Sequence, residues 1–234
     1  MINVLEILSG GAAEGLIKAL APSFTSQTGW VIEGDYGAVG TMADKLRAGT
    51  HADIVVLTTA VLKGLASDDH LRPGAFQNIG LVQTAIAVRA GDSPPRVNTA
   101  NSLRDALLAA DAIFVPDTTS STAGGHIAKV LAQLDIADDV AGRLREFPNG
   151  ATAMKHLAIS KDKRPIGCTQ TTEILMTPGL NLVGPLPPGC ELATMYAAAI
   201  TAQAQNVPVA QKLICLLAAD EHRDLRVRIG FTGA

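Results

Sequence analysis

The apolar run Ala112-Ile113-Phe114-Val115-Pro116 is followed by Thr118-Thr119-Ser120-Ser121-Thr122-Ala123-Gly124-Gly125-His126-Ile127-Ala128-Lys129-Val130-Leu131. This reads as a buried strand, a hydroxyl- and glycine-rich loop, and a helix entered from that loop. A helix start left open in this way presents unpaired backbone N–H groups and the positive end of the helix dipole, a combination that favours an anion.

The same arrangement opens the chain. Ile2-Asn3-Val4-Leu5-Glu6-Ile7-Leu8 predicts a strand, Ser9-Gly10-Gly11 a turn, and Ala12 to Gln27 a helix with Leu16, Ile17, Leu20 and Phe24 on one face. Trp30-Val31-Ile32-Glu33 is a second strand and Asp35-Tyr36-Gly37-Ala38-Val39-Gly40 a second glycine loop. A helix from Thr41 to Ala48 follows, closed by Gly49. Ile54-Val55-Val56-Leu57 is a third strand, and Thr58-Thr59 can cap a helix through Leu65. Three β-α units in succession predict a parallel sheet with helices on its faces.

Beyond Pro73-Gly74 the pattern changes. The long run Gly80 to Arg89 predicts a crossing into a second lobe, in which Ser102 caps a helix through Ala110 and the opening segment follows. Pro148-Asn149-Gly150 forms a further loop before a helix from Ala151 to Ser160, with Lys161 to Arg164 as a solvated turn. Pro165-Ile166-Gly167-Cys168 delivers Thr169-Gln170-Thr171-Thr172 to another helix start. Asn181 to Gly189 reads as a strand and stiff connector, Glu191 to Thr201 as a returning extended run, and Pro208 to Ala218 as a closing helix. The expected architecture is therefore α/β, with lobe one at 1–82 and 192–234, lobe two at 83–191, and two mixed sheets flanked by helices. Two crossings make a hinge, and strand-end loops face a cleft between the lobes.

Composition supports layered packing. Aromatic residues make up 3% of the chain against 47% hydrophobic residues, so the core is aliphatic and suits helix-on-sheet layers better than a β-sandwich. The net charge of −3 gives no global attraction to polyanions, and without basic blocks no nucleic-acid partner is expected. No apolar run is long enough to span a bilayer, so no membrane insertion is expected, and Met1 is followed at once by what reads as the first core strand. As the sequence stands the expected location is the cytoplasm; removal of a signal peptide ahead of Met1 would make it the periplasm. Cys168, Cys190 and Cys215 are odd in number and lack metal-ligand spacing, which predicts free thiols and no metal. No cofactor is expected, and the chain is expected to be a monomer.

Four stretches carry a resemblance to a known family. They are Leu8-Ser9-Gly10-Gly11, the run from Leu20-Ala21-Pro22-Ser23-Phe24 to Thr28-Gly29, Leu46-Arg47-Ala48-Gly49-Thr50-His51-Ala52-Asp53-Ile54-Val55, and Gly184-Pro185-Leu186-Pro187. In this order they resemble the periplasmic molybdate-binding protein family in its broad sense, with the type 2 periplasmic binding-protein fold, over nearly the whole chain. That family includes oxyanion receptors for ABC transporters and an aconitate isomerase. The resemblance implies ligand contacts from Ser9, Gly10 and Gly11, from Gly37, Ala38 and Val39, and, in lobe two, from Thr119, Ser120, Ser121, Thr122 and Gly124. It adds Asn149, Gly150, Ala151, Thr169 and Gln170, with the family's tyrosine position falling near Gln170.

The departures matter chemically. The family's serine-rich second loop is Gly37-Ala38-Val39-Gly40 here, and a tetrahedral oxyanion needs a dense shell of donors. Small residues widen the space and no candidate loop carries an Arg, so the expectation is a larger organic anion, a di- or tricarboxylate, held without bidentate clamping. Two functions fit: a solute-binding protein presenting the anion to an ABC transporter membrane component, or an isomerase moving an allylic proton between trans- and cis-aconitate. The second needs an acid-base residue, for which Asp35, Tyr36, His126, Cys168 and Glu173 are the unranked candidates. Each also has a plainer reading. Cys168 suits a small buried hydrophobe, His126 a structural histidine, and Glu173 a complement to a helix dipole.

Overall fold

The computed structural model describes residues 2–74 and 76–233. The chain divides into two compact units, Met1–Val82 with Thr194–Ala234, and Gln83–Ala193. Both are α/β, a mixed sheet flanked by helices.

The first unit begins β1 (Asn3–Gly10), α1 (Gly11–Thr28), β2 (Trp30–Gly37), α2 (Val39–Arg47), β3 (Ile54–Thr58) and α3 (Thr59–Ser67). β1 lies between β2 and β3, parallel to both. Its second half is buried on both faces, as a central parallel strand must be, and Leu8 and Ile7 therefore both point into core. α1 packs through Leu16, Ile17, Leu20 and Phe24, spaced three and four apart, and ends where Gly29 takes φ 73°. The unit is completed by the first part of β4 (Gln77–Arg89) and, late in the chain, by β9 (Ala193–Ile200), α9 (Val207–Ala218), α10 (Arg223–Ile229) and β10 (Phe231–Thr232). β9 runs antiparallel to β3, and β10 antiparallel to β4.

The second unit takes β4 from Gln83, then α4 (Ala100–Ala109), β5 (Ala112–Pro116), α5 (Thr122–Gln133), α6 (Ala137–Val140), β6 (Leu144–Phe147), α7 (Gly150–Ala158), β7 (Pro165–Gln170), α8 (Thr171–Leu175) and β8 (Leu180–Pro185). β5 is parallel to β6 and β7, whereas β4 is antiparallel to β7 and β8. The period of two along each strand divides its side chains between two cores. Ile86, Val88, Ile113 and Val115 join α4 and α5 on one face; Ala85, Ala87, Ala112 and Phe114 join α7 on the other. α4 corrects one cap. Thr99, not Ser102, is the capping residue, and Ser102 returns the bond from the third helical position as a capping box.

Candidate functional site

In the first unit the predicted residues collect at the carboxyl ends of β1 and β2. The register pairs Ser9 with Tyr36 and Gly10 with Gly37, so the two strands end side by side. α1 starts at once after Gly10, and α2 after Ala38 alone; neither start has a side chain capping it. Two adjacent helix starts thus keep first-turn N–H groups for another partner. The Ser9 hydroxyl is fully buried and donates to the Gly10 carbonyl at 3.0 Å.

A residue that sequence reasoning passed over stands at the same end. Tyr196, near the start of β9 and paired in register with Thr58, is buried. A β-carbon on Gly10 would lie 3.0 Å from both the Tyr196 ring and Val39, so Gly10 is where the backbone and this ring approach closely. Within the run Glu191 to Thr201 Tyr196 looks like any strand aromatic; no local signal pointed to it.

Asp35 and Tyr36 do not share that place. Asp35 forms an exposed ion pair with Lys45 at 2.5 Å. The Tyr36 ring folds back over Gly34, with the Lys18 ammonium 5.5 Å from its centroid. Burial, aided by Glu14, pushes the Tyr36 hydroxyl up to about 12.

In the second unit β5, β6 and β7 are parallel, which brings their three carboxyl-end loops to one end of the sheet. The loop after β5 is not the open helix start expected. Ser121 caps α5 through the Gly124 N–H at 3.4 Å. Asp117 Oδ1 accepts from the Thr119 N–H (3.0 Å) and hydroxyl (2.6 Å) and from the Ser120 N–H (2.6 Å) and hydroxyl (2.8 Å). Glu146 Oε2 takes the Thr118 N–H at 3.0 Å and its hydroxyl at 2.9 Å. An Asp two residues ahead of Thr119 is the signal of such a turn, and it was present in the sequence. The hydroxyl of Thr119, then the N–H and hydroxyl of Ser120, hold the Asp117 carboxyl well below the usual carboxylate range. Gly124 permits a close approach, since a β-carbon there would strike the Pro116 and Asp117 carbonyls.

After β6, Asn149 caps α7 by accepting from Thr152 N–H at 2.8 Å. Gly150 and Ala151 form its first turn. A β-carbon on Gly150 would collide with Thr169 and with the Glu173 carboxylate, so these three residues meet at the start of α7. Glu173 is buried and accepts from the Thr169 hydroxyl at 2.5 Å. Gln170, also buried, opens α8, whose start has no side-chain cap. Thr122 lies on the first turn of α5.

His126 and Cys168 make other contacts. His126 Nε2 is 2.8 Å from the Cys190 carbonyl, which ties α5 to the Cys190 segment. Cys168 packs among Ile86, Ile113 and Ile166, and burial pushes its thiol far above the ordinary range. Among the described residues no group of three or more His, Cys, Asp or Glu could hold a metal ion.

With this geometry in place, residues 5–232 match the model of the bacterial extracellular solute-binding protein family. The chain belongs to that family. It is 24% identical over 228 residues to an aconitate isomerase of a Pseudomonas species, covering 94% of this chain and 84% of the relative. Its fold is similar to the periplasmic molybdate-binding protein of Azotobacter vinelandii, with a TM-score of 0.81 at 15% identity over 98% of this chain and 99% of that one. It is also similar to the sulfate-binding protein SubI of Mycobacterium tuberculosis H37Rv, at a TM-score of 0.77 and 15% identity over 98% and 86%. The family and these folds agree with the resemblance carried by the loop sequences. Among the described residues no helix is long and apolar enough to cross a membrane.

Proposed function

We propose that this chain is a receptor for a small organic anion, a di- or tricarboxylate. The observation that carries the reading is the pair of adjacent helix starts after Gly10 and Ala38, both without side-chain caps. Membership of the solute-binding family and similarity to molybdate- and sulfate-binding proteins support an anion as the ligand. A carboxylate is favoured over a tetrahedral oxyanion because hydroxyl donors are already engaged. Ser9 donates to Gly10, Thr119 and Ser120 to Asp117, and Thr118 to Glu146. Such a receptor would deliver its ligand to the membrane component of an ABC transporter, outside the cytoplasm.

Similarity to an aconitate isomerase over 94% of the chain supports a second reading, in which the chain moves an allylic proton. Glu173 is its best base, a buried carboxylate beside the start of α7 and the Thr169 hydroxyl.

Thermal shift against molybdate, tungstate, sulfate, citrate, isocitrate and both aconitates tests the ligand, since a ligand well above its Kd raises the unfolding midpoint. Stabilisation by molybdate or tungstate alone would overturn the carboxylate. A Gly10→Val substitution, which sets a side chain against Tyr196 and Val39, should abolish the ligand-induced shift. Proton NMR of trans-aconitate with catalytic protein separates the two readings: a receptor leaves the isomer ratio unchanged, and an isomerase that Glu173→Gln silences supports the second.

A further inference from the structure

The opposite end of the second unit's parallel strands carries a cavity that the proposed anion site does not use. β5 starts at Ala112 and β7 at Pro165, which are register partners. Beside them opens a cavity of about 340 Å³, at the small end of the range for small-molecule sites. Its inner wall is Val88, Ala106, Ala110, Pro165 and Ile166, all buried and none with a polar side-chain atom. The space exists because α4 ends in small side chains. Leu103 and Leu107 fill the core from that helix, whereas Ala106, Ala109 and Ala110 leave the cavity side unfilled.

The charges at the mouth are unequal. Asp92 is paired with Arg89 at 2.7 Å, and Arg164 with Asp111 at 3.3 Å. Lys163 is exposed and has no ion pair among the described residues. An apolar wall binds what water releases, and an uncompensated ammonium at the rim selects the charge of the exposed end. We infer that this cavity is a binding site for a short-chain monocarboxylate, taken up tail first with its carboxylate at Lys163. A polycarboxylate does not suit it, because its additional charges would be stranded on the apolar wall.

The test is a ¹H–¹⁵N NMR titration of the whole chain with sodium hexanoate, hexan-1-ol and hexylammonium. Hexanoate should give saturable shifts of the Val88, Ala106, Ala110 and Ile166 amides. Hexanol should bind there roughly two- to fivefold more weakly, the contribution of one exposed ion pair, and hexylammonium more weakly still. Lys163→Gln should weaken hexanoate by the same factor and leave hexanol unchanged. Ala109→Phe fills the cavity from an exposed position and should remove both responses at an unchanged unfolding midpoint. The inference is overturned if the shifts do not saturate, if hexanol binds as tightly as hexanoate, or if the responding amides are those of residues 10–12 and 38–40, at the helix starts of the proposed anion site.

Discussion

Gly150 and Glu173 share one small space: the carboxylate of the second occupies the position that a side chain on the first would need. The pairing sets the Glu173 side chain at the start of α7, where it accepts from the Thr169 hydroxyl. Gly150→Ala would force the carboxylate or Thr169 aside in a buried setting. The expected cost is about 1–3 kcal/mol, measured by urea denaturation, with Gly150→Ala in a Glu173→Ala background costing less because only the Thr169 hydroxyl then stands in the way.

The loop after β5 should show its own acid sensitivity. The Asp117 carboxyl is held below its ordinary value, so its unfolded form binds a proton more readily than its folded form. Its contribution to stability is therefore fully present above about pH 4, the unfolded value, and is lost as pH falls through the lower folded value. Asp117→Asn should destabilise the protein at pH 7, and the difference from the parent should shrink as pH is lowered towards 3. A difference that stays constant across this range would show that the hydrogen bonds of Thr119 and Ser120 do not depend on the charge.

The three thiols should differ sharply in reactivity. Cys215 is exposed on α9, whereas Cys168 and Cys190 are buried and burial raises the pKa of each. Because the thiolate is the reactive form, iodoacetamide at pH 8 should label Cys215 first and Cys168 only on unfolding. Peptide mass spectrometry with and without urea reads this directly. Early labelling of Cys168 would contradict its place in the core.

Arg226 is the largest fully buried side chain of the first unit, and it faces carbonyls instead of a carboxylate. Its Nη1 donates to the Leu217 carbonyl at 3.2 Å and to that of Ala219 at 2.6 Å, at the carboxyl end of α9. Replacing it with Leu would leave those acceptors buried. A loss of about 1–3 kcal/mol is expected by chemical denaturation.

The order of strands and helices was legible because it is written locally. Apolar runs mark β1, β3 and β5, Thr58 announces the α3 cap, and Gly29 and Gly49 take the positive φ that ends a helix. Starts were less exact: α2 begins at Val39, two residues earlier than its pattern suggested, because a helix start without a side-chain cap leaves no local marker. The glycines at the carboxyl ends of β1 and β2 were likewise visible as residues. What they face was not. Tyr196 reaches Gly10 only because β9 returns beside β3 after the whole second unit has been traversed, and no spacing encodes that approach. Asp117 taking the hydroxyls of Thr119 and Ser120, and Glu146 those of Thr118, is a contest among donors and acceptors only ångströms apart. Sequence named the groups that could compete at each loop; the tertiary structure decided which were left free, because hydrogen bonds go to the partner in reach and reach is set by packing.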